Sequence, residues 1–544
     1  MSHIFLTGFM GAGKSTVGRL LAERLGRPFV DLDVLIEERE GAPVRELFRE
    51  RGEEGFRRGE HDALAALGAS PDAVVATGGG VILREDNRVT MKQLGKVVYL
   101  AVTPEEAIAR VGDGADRPLL AGVDLPAVRA ILDARLSLYA ATADSVVDTV
   151  GRSADAVTTD VLSVLSGTPS CSRVDAGDGE GYRIVVSPGV LGSLGRYVRE
   201  VVDTAHVVLV SDETVFELLG DTAVSSLESA GLRTSVCTVT AGESSKSWSR
   251  AGSLLEEFSA HGVDRGSCVV ALGGGVVGDL AGFCAATYMR GIPVVQVPTT
   301  LLAQVDSSIG GKTGVDLVAG KNLAGAFWPP RIVLADPSVL VSLPDAEWTN
   351  GLVEAAKAAL LEDEDVLERF ESRVDGLLAR DAETIRETVI EAAAFKAGIV
   401  SADLREADVR ECLNLGHTLG HALEVTAGYD ALPHGLAVAE GIRFSALLAG
   451  EQVGASPGFI GRIEALLDAI GGSRTAFADR VAEELSTLTP EALLHAMKSD
   501  KKARSGVVRF VLIERPGLWR VVQISDDRVL AALAIWRTTI EGEV

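Results

Sequence analysis

Short apolar runs alternate with stretches of helical spacing over the first 165 residues of the chain. The apolar runs are HIFLTG, RPFVDLD, DAVVATGGG and KVVYLAV. Strands that alternate with helices form βαβ units, and the strands of such units join a parallel sheet. The pattern therefore predicts an α/β domain with a parallel sheet over residues 1–165.

A second α/β pattern starts near residue 183, with the runs RIVVSPG, HVVLVSDE, TSVCTVTAG, SCVVALGGG and PVVQVPTT. After about Pro337 the strand signals fade, and segments such as AEWTNGLVEAAKAALL carry apolar residues at helical spacing. We predict an α/β domain over 183–336 and a mainly helical domain over 337–544. The intervening stretch, rich in Gly, Ser and Asp, predicts a linker over 166–182.

Composition excludes several classes of partner. The net charge is −25, and a nucleic acid or an anionic membrane surface needs a basic face on its partner. The five cysteines are far apart with no Cys-x-x-Cys pair, which predicts neither disulfides nor a thiolate zinc site. Asp279 and Arg290 interrupt the most apolar region, and the N-terminal segment has no signal-peptide pattern. We predict a soluble, cytoplasmic protein.

The segment TGFMGAGKST lies between the first apolar run and a helical stretch, and it matches the phosphate-loop pattern. Gly11 and Gly13 let backbone N–H groups converge on phosphates at a helix N-terminus, where Thr16 is a further nucleotide contact. Lys14 would span the β- and γ-phosphates, and Ser15 would reach Mg²⁺. The loop predicts binding of ATP or GTP.

Two carboxylates, Asp31 and Asp33, close the apolar run FVDLD. Alternation along a strand would put both on one face, so one could orient Mg²⁺ while the other meets an acceptor hydroxyl. A helix N-cap is the alternative role for a single Asp at a strand end. Four arginines together suit a small anionic acceptor and a charge clamp on the transferred phosphoryl group: Arg57, Arg58, Arg117 and Arg135.

Residues 1–165 resemble shikimate kinases through the ordered motifs GFMGAGKST, DLDVLIE, FRRGE, TGGGVIL, RPLL and RLSLY. The resemblance implies that Lys14 and Ser15 serve ATP and Mg²⁺, with Asp31 supporting the metal through water. It also implies an acceptor site and a lid: Asp33 on a shikimate hydroxyl, Arg57 and Arg135 on its carboxylate, Gly78, Gly79 and Gly80 lining the pocket, Arg117 from the lid on the phosphates, and Arg110 near the adenine.

The segment VVALGGGVVGDLAGF follows an apolar strand and opens a helix. Gly273, Gly274 and Gly275 would let a pyrophosphate approach the backbone and the helix N-terminus. The pattern departs from G-x-G-x-x-G, so on its own it is a weak signal for a dinucleotide. Asp212 in VSDETV could hold ribose hydroxyls or serve in a turn.

Three of the eight histidines lie within eighteen residues. His417 and His421 are four residues apart and share one helical face, and His434 and Glu354 are further candidate ligands. One carboxylate and two imidazoles with an open position form a catalytic zinc arrangement. Packing and hydrogen-bonding roles for His417 and His421 are the alternative.

Basic residues in Gly-rich or apolar segments fit a substrate with phosphate and carboxylate groups better than a role in solubility. They are Arg290, Lys312, Lys321 (with Asn322 beside it), Lys357, Lys396 and Arg410. Residues 180–540 as a whole resemble 3-dehydroquinate synthases through ALGGGVVGDLAGF, VPTTLLAQVDSSIGGKTGVD, GKNLAGAF and LNLGHTLGHALE. That resemblance implies a Rossmann-like NAD-binding domain, an α-helical metal-binding domain and a homodimer formed through this half.

The same resemblance implies the residues that bind each ligand. Zinc, or another divalent ion such as Co²⁺, would lie on Glu354, His417 and His434, with His421 facing substrate as an acid/base group. NAD would contact Asp212, Glu243, Lys246, Gly273, Gly274, Gly275 and Asp279, with Asp306 near the nicotinamide. The substrate would contact Arg290, Lys312, Lys321, Asn322, Lys357, Lys396, Arg410, Asn414, His421 and one of Lys501 and Lys502. Leu404, Asp408 and Val409 depart from the family pattern, and we interpret them as packing changes.

The sequence therefore predicts two activities in one chain. One is the ATP-dependent phosphorylation of shikimate, and the other is the NAD- and metal-dependent cyclisation of 3-deoxy-arabino-heptulosonate 7-phosphate to 3-dehydroquinate. An alternative for the second half is a related sugar-phosphate cyclase acting on an amino analogue or on sedoheptulose 7-phosphate. Conversion of one half into a binding module is a further alternative, although Lys14, Asp33, Glu354 and the histidines are all present.

Overall fold

The computed structural model describes residues 3–111, 125–149, 152–165, 171–175, 181–318, 320–406, 408–428, 431–499 and 507–543. Arg117, Lys501 and Lys502 lie outside these residues. The chain divides into two compact units, the first comprising 1–171, 190–207 and 221–234, the second 172–189, 208–220 and 235–544. Within the described residues, no helix is both long and apolar enough to span a bilayer.

A five-stranded parallel sheet forms the centre of the first unit, which confirms the predicted fold class. The strand order is β2-β3-β1-β4-β5. The strands are β1 (His3–Thr7), β2 (Phe29–Asp31), β3 (Val74–Ala76), β4 (Gly95–Ala101) and β5 (Ser145–Asp148). Parallel strands covered on both faces consist of nearly continuous apolar residues, as the fully buried run Val74–Ala76 illustrates.

Nine α-helices belong to the first unit within the described residues. They are α1 (Lys14–Leu25), α2 (Leu32–Glu40), α3 (Val44–Ala66), α4 (Glu85–Leu94), α5 (Pro104–Val111), α6 (Leu125–Thr142), α7 (Ala154–Leu165), α8 (Leu194–Val201) and α10 (Asp221–Ser229). Gly13 precedes α1 with a φ of 84°, a left-handed conformation that favours glycine. This conformation turns the phosphate loop into the first turn of α1.

The prediction that Asp31 and Asp33 share one face of a strand is wrong. Strand β2 ends at Asp31, and Asp33 lies in the first turn of α2. The Asp31 side chain accepts a hydrogen bond from the backbone N–H of Asp33, which makes Asp31 the N-cap of α2. The capping interaction starts the helix one residue after Asp31 and thereby overrides the strand alternation.

A seven-stranded sheet forms the second α/β layer, in the order β6-β7-β14-β11-β10-β8-β9. Its strands are β6 (Cys171–Asp175), β7 (Gly181–Val186), β8 (His206–Asp212), β9 (Arg233–Val239), β10 (Cys268–Gly273), β11 (Val294–Pro298) and β14 (Ile332–Ala335). Strand β6 lies inside the segment predicted as a linker. Among residues 172–175 of this strand only Val174 is buried, which gives too little alternation for a strand to be predicted.

Two hairpins and thirteen helices complete the described part of the second unit. The hairpins are β12 (Lys312–Leu317) with β13 (Gly320–Phe327) and β15 (Arg509–Arg515) with β16 (Leu518–Gln523). The helices are α9 (Glu213–Val215), α11 (Trp248–Ala260), α12 (Gly275–Thr287), α13 (Asp345–Glu362), α14 (Glu364–Ser372), α15 (Val374–Leu378), α16 (Ala382–Ala402), α17 (His417–Ala427), α18 (His434–Gln452), α19 (Pro457–Ala469), α20 (Arg474–Arg480), α21 (Pro490–Ser499) and α22 (Asp526–Glu541).

Close backbone contacts bring α13, α17 and α18 together. A Cβ on Gly441 of α18 would lie 1.8 Å from the carbonyl oxygen of Gly416, which precedes α17. The N–H of Gly435, at the start of α18, donates to the side-chain oxygen of Asn350 on α13 at 2.7 Å. These contacts place His417, the first residue of α17, near the beginning of α18.

We predict that Gly441→Ala lowers the free energy of unfolding of the second unit by about 3 kcal/mol, because its methyl group would overlap backbone that cannot move aside. Gly461→Ala on α19 is the matched control, since no atom lies within 4 Å of its added Cβ. The control should change stability by about 0.5 kcal/mol or less, or stabilise slightly. Differential scanning calorimetry measures the unfolding temperature of both variants. Equal unfolding temperatures of Gly441→Ala and Gly461→Ala would contradict the prediction.

Candidate active sites

The phosphate loop of the first unit holds its lysine against the backbone. Lys14 Nζ donates to the carbonyl oxygens of Gly8 and Phe9 at 2.8 and 2.9 Å. Ser15 Oγ donates to Asp31 Oδ2 at 2.7 Å, so the hydroxyl and the carboxylate predicted to serve Mg²⁺ are in contact. Oxygen ligands of this kind suit Mg²⁺. Gly11 and Gly13 have positive φ angles within the loop, and Thr16 is exposed on α1.

Beside this loop, the turn of Gly78–Gly80 lies against the side chains of Asp33, Arg57 and Glu60, and we call this group of residues the cradle. A Cβ on Gly78 would lie 2.8 Å from Asp33 Oδ1 and 2.9 Å from Glu60 Oε1. A Cβ on Gly80 would overlap the guanidinium group of Arg57. The structure thus brings the predicted acceptor residues Asp33 and Arg57 to the same glycine turn, where a carboxylate and a guanidinium can face one small polar molecule.

Glu60 belongs to this cradle although it was not among the predicted site residues. It is 0% exposed, and its Oε2 accepts from Arg57 Nη1 at 3.0 Å. Burial raises the pKa of Glu60 to about 7, despite the opposing effect of Arg57. A signal was present in FRRGE, because residues three apart on a helix are neighbours.

Two further predicted residues lie at the edges of this site. Arg135 Nη1 donates to the carbonyl oxygen of Gly79 at 3.1 Å, and the hydroxyl of Tyr139, one turn further along α6, donates to the same oxygen. Arg110, predicted near the adenine, donates to the carbonyl oxygen of Gly11 at 3.3 Å. Arg135 therefore lies at the glycine turn, and Arg110 lies at the phosphate loop.

The glycine-rich turn of the second unit lies between β10 and α12. Gly274 precedes α12, and a Cβ on Gly275 would lie 3.0 Å from the hydroxyl oxygen of Ser307. That hydroxyl is buried and has no hydrogen-bond partner among the described residues. Open backbone at a helix N-terminus beside an unpaired hydroxyl fits the pyrophosphate of a dinucleotide. Gly273 ends β10 and lies against Val277.

Some of the charged residues that were predicted to bind NAD lie close to one another. Lys246 Nζ forms an ion pair with Asp279 Oδ2 at 2.6 Å, and both side chains are mostly buried. Glu243 lies 3.7 Å from the Nζ of Lys321, on hairpin β12–β13. Asp212 accepts from the N–H of Val215 at 2.9 Å, which is the turn role that the sequence left open.

Glu354, His417 and His434 form the one cluster of candidate metal ligands found among the described residues. One ligand atom of each residue lies within 4.8 Å of the others. The Nε2 atoms of both histidines are 3.6 Å from Glu354 Oε1. A carboxylate with two imidazoles is the donor set of a catalytic zinc site. His421 is outside this cluster, and its ring packs edge to face on His417 at 5.3 Å between centroids.

Hydrogen bonds orient both imidazoles. His417 Nδ1 lies 3.0 Å from the carbonyl oxygen of Leu415, which can only accept, so Nδ1 carries the proton and Nε2 is the candidate ligand atom. His434 Nδ1 faces Glu424 Oε1 at 3.3 Å. Partners of this kind fix the ring orientation of metal-binding histidines. Glu424 was missed, although its position seven residues after His417 puts both on one helical face.

A set of paired charges surrounds the metal-ligand cluster. Lys357 forms an ion pair with Glu354, and Lys396 Nζ is 2.6 Å from Asp306 Oδ1. Burial raises the pKa of Glu354, but Lys357 and His434 outweigh this effect and lower the pKa to about 2. Burial lowers the pKa of Lys396 to about 8, with Asp306 acting in the opposite direction. Glu354 is therefore a carboxylate at neutral pH, and Lys396 can exchange a proton near physiological pH.

The remaining predicted substrate residues fall into two groups. Lys312 and Asn414 both contact Glu406, and Arg410 is buried with its guanidinium on the carbonyl oxygen of Leu404 at 2.7 Å. Arg290 and Asn322 are exposed, and both have positive φ angles. Glu406 thus links Lys312 with Asn414, and it interacts electrostatically with Arg410.

Fold and sites together define the class of the protein. The first unit has a phosphate-loop fold with a cradle for a small polar acceptor. The second has a dinucleotide-type α/β layer joined to helices that carry a carboxylate and two histidines. This is the arrangement of a phosphate-loop kinase fused to a metal-dependent, dinucleotide-binding enzyme.

Comparison with known proteins agrees with this class. The shikimate kinase family matches residues 10–166, and the N- and C-terminal domains of 3-dehydroquinate synthase match 236–350 and 351–503. The 3-dehydroquinate synthase of Symbiobacterium thermophilum is 47% identical over 344 residues, covering 62% of this chain and 92% of that protein. That of Pelobacter propionicus is 40% identical over 353 residues, covering 64% and 95%.

Solved structures of related fold are a 2-epi-5-epi-valiolone synthase from Streptomyces hygroscopicus, with NAD⁺ and Zn²⁺ bound, and a 2-deoxy-scyllo-inosose synthase with carbaglucose-6-phosphate, NAD⁺ and Co²⁺. They are 25% and 24% identical, each with a TM-score of 0.59, covering 67% of this chain and 99% of the other. The chain belongs to the 3-dehydroquinate synthase family. Because a shikimate kinase domain precedes the synthase, it is a bifunctional enzyme of the shikimate pathway.

We predict that Glu60→Gln stabilises the first unit increasingly as pH rises. The folded pKa lies above the ordinary value, so the folded state of the wild type binds the extra proton and loses stability as pH rises from about 4.5 to 7. Glutamine does not titrate, so the stability difference should grow by about 2 kcal/mol between about pH 5.5 and 8.

Glu53→Gln is the matched control for this prediction. Glu53 pairs with the same Arg57 at 3.3 Å, but its side chain is 64% exposed. Calorimetry at several pH values should therefore give a larger change with pH for Glu60→Gln than for the control. A constant difference for Glu60→Gln would show that the buried carboxyl group does not titrate in this range.

Proposed function

We propose that the first unit transfers the γ-phosphoryl group of ATP to a shikimate hydroxyl, with Mg²⁺ held at Ser15 and Asp31. The observation that carries this proposal is the cradle in which Asp33 and Arg57 meet at the turn of Gly78–Gly80. A carboxylate at this position can accept the proton of the attacking hydroxyl. The guanidinium groups of Arg57 and Arg135 suit the carboxylate of shikimate. Lys14 would move from the loop carbonyls onto the phosphates.

For the second unit we propose NAD- and zinc-dependent conversion of 3-deoxy-arabino-heptulosonate 7-phosphate to 3-dehydroquinate, with release of phosphate. The donor set Glu354, His417 and His434 carries this proposal, because one carboxylate and two imidazoles within reach of one another fit zinc or Co²⁺. When bound, the metal polarises substrate oxygens, and NAD accepts and returns a hydride.

The residues of the chain would bind the substrate and move its protons. Lys312, Arg410 and Asn414 suit its anionic groups, with Arg290, Lys321 and Asn322 as further contacts. Lys396, with a pKa near 8 beside Asp306, can give or take a proton at neutral pH. His421 lies against the metal-ligand histidine His417, from which position it can serve as an acid/base group.

A related cyclase activity is the second candidate, because the solved structures of similar fold are a 2-deoxy-scyllo-inosose synthase, which holds carbaglucose-6-phosphate, and a 2-epi-5-epi-valiolone synthase. The 47% identity to a 3-dehydroquinate synthase over 92% of its length favours the first candidate. The test supplies purified protein, NAD⁺ and Zn²⁺ with 3-deoxy-arabino-heptulosonate 7-phosphate or sedoheptulose 7-phosphate. Dehydroquinate from the first alone supports the proposal, whereas turnover of the second alone supports the other cyclase.

We predict that Lys14→Met and Glu354→Gln each abolish one activity and spare the other. Lys14→Met removes the charge that faces the phosphates, so shikimate kinase kcat should fall at least about 100-fold. Glu354→Gln removes the charged metal ligand, so zinc affinity and synthase activity should fall by similar factors. Each variant is the control for the other, and loss of both activities in either would instead indicate general misfolding.

We further propose that two copies associate through the synthase half. Apolar side chains are exposed around hairpin β12–β13, namely Leu317, Val318, Leu323, Phe327 and the nearby Trp248. Trp248 lies beside the hairpin because Ser247 forms a β-bridge with Asp316. An exposed apolar surface on a hairpin favours an apolar partner, and the same face of a second copy supplies one.

We predict a mass of twice 56.9 kDa in sedimentation analysis. Substituting Asp for both Leu317 and Val318 should dissociate the dimer, because it would place charge within the apolar contact. Ile535→Asp, at an exposed apolar residue on α22, is the control and should stay dimeric. Dissociation of both variants alike would contradict this choice of surface. Four cysteines, Cys237, Cys268, Cys284 and Cys412, are free and buried, which supports our proposal of a cytoplasmic location.

A further inference from the structure

Glu406 lies within the group of residues proposed to bind the anionic substrate. Its Oε2 forms an ion pair with Lys312 Nζ, and its Oε1 accepts from Asn414 Nδ2 at 3.0 Å. Both oxygens of the carboxylate thus use donors that a phosphate or carboxylate of the substrate would use. No sequence motif singled out this residue.

The surroundings of Glu406 are those of an anion site. Arg410 is 2% exposed and interacts electrostatically with Glu406. The Glu406 side chain is 22% exposed and that of Lys312 is 46% exposed, so solvent anions can reach the pair. A carboxylate between a lysine, a buried arginine and an amide occupies the position in which a small anion would be held most strongly.

The backbone holds Glu406 in this position at some cost. Its φ is 57°, in the left-handed region that glutamate adopts rarely. The next turn is fixed, because Asp403 Oδ2 accepts from the N–H groups of Asp408 and Arg410 at 2.7 and 3.1 Å. Release of this backbone strain would favour movement of Glu406 out of the site.

We infer that Glu406 is an internal competing anion, which occupies the subsite of Lys312 and Asn414 and is displaced by an anionic group of the substrate. This inference rests on the proposed synthase function. Glu406 would affect the release of inorganic phosphate, because this product is held by fewer contacts than the intact substrate. A carboxylate that returns to Lys312 competes with phosphate and favours its release, whereas the multiply bound substrate still displaces it.

The test measures binding of inorganic phosphate by titration calorimetry to the full chain with NAD⁺ and Zn²⁺. Saturating Mg-ADP is present in every titration, because the phosphate loop of the kinase is a second phosphate site. We compare the wild type with Glu406→Gln, which keeps the shape but removes the charge, and with Glu406→Asp, which keeps the charge. Glu541→Gln removes the same charge from a surface ion pair with Arg537 on α22 and is the control.

We expect Glu406→Gln to lower the Kd of phosphate about tenfold and to lower its inhibition constant in synthase turnover by a similar factor. Glu406→Asp and Glu541→Gln should stay within about twofold of the wild type. Adding Lys312→Gln to Glu406→Gln should abolish the gain, because the freed lysine is then absent. The differences in Kd need no turnover, so an inactive wild type would be recognised separately.

Unchanged or weaker phosphate binding in Glu406→Gln would overturn the inference, as would an equal gain in Glu541→Gln. A gain that persists without Lys312 would overturn it too, because the contact with Lys312 would then be irrelevant. Circular dichroism of each variant establishes that the compared proteins are folded. If Glu406→Gln does not fold, tighter binding by Glu406→Ala supports the inference, and equal binding opposes it.

Discussion

The buried carboxylate of Glu354 is the constraint on which the helical part of the second unit depends. A charge that is almost inaccessible to water must be paired, and here Lys357 and two histidines surround it. These partners come from three helices, so α13, α17 and α18 have to meet at one point. Glycines at the contacts between these helices allow the backbones to approach closely enough for Glu354, His417 and His434 to meet.

The same requirement extends to the other basic groups of a strongly acidic chain. Lys246, Lys312 and Lys396 each have a carboxylate partner, and Lys14 has two carbonyl partners. For the buried Lys14, Lys246 and Lys396 this pairing avoids the cost of an isolated buried charge, whereas Lys312 is partly exposed. At the proposed binding sites an anionic ligand would have to replace the internal partner, so such sites would select ligands that offer more contacts than a single carboxylate does.

Local signals accounted for most of the fold and for the positions of the candidate ligands. Spacing within one helix or loop predicted the phosphate loop, the turn at Gly274 and the histidines of α17, because the relevant geometry is set within a few residues. Asp33 was misplaced because a capping interaction, not strand alternation, decided its position. Glu60, Glu424 and Glu406 were missed because single glutamates are ordinarily surface residues, and only tertiary packing makes them partners of Arg57, His434 and Lys312.

Two neighbouring lysines show how packing assigns different roles to one residue type. Lys357 faces both Glu354 and Asp306, and these carboxylates raise its pKa although burial lowers it. Lys396 has Asp306 as its close partner and Arg410 and Lys357 as repelling neighbours, so burial dominates and lowers its pKa to about 8. Lys357 therefore remains a fixed positive charge that holds the Glu354 carboxylate ionised. Lys396 is the one of the two that can change its protonation state near neutral pH, which makes it the better candidate acid or base for the proposed chemistry beside Glu354, His417 and His434.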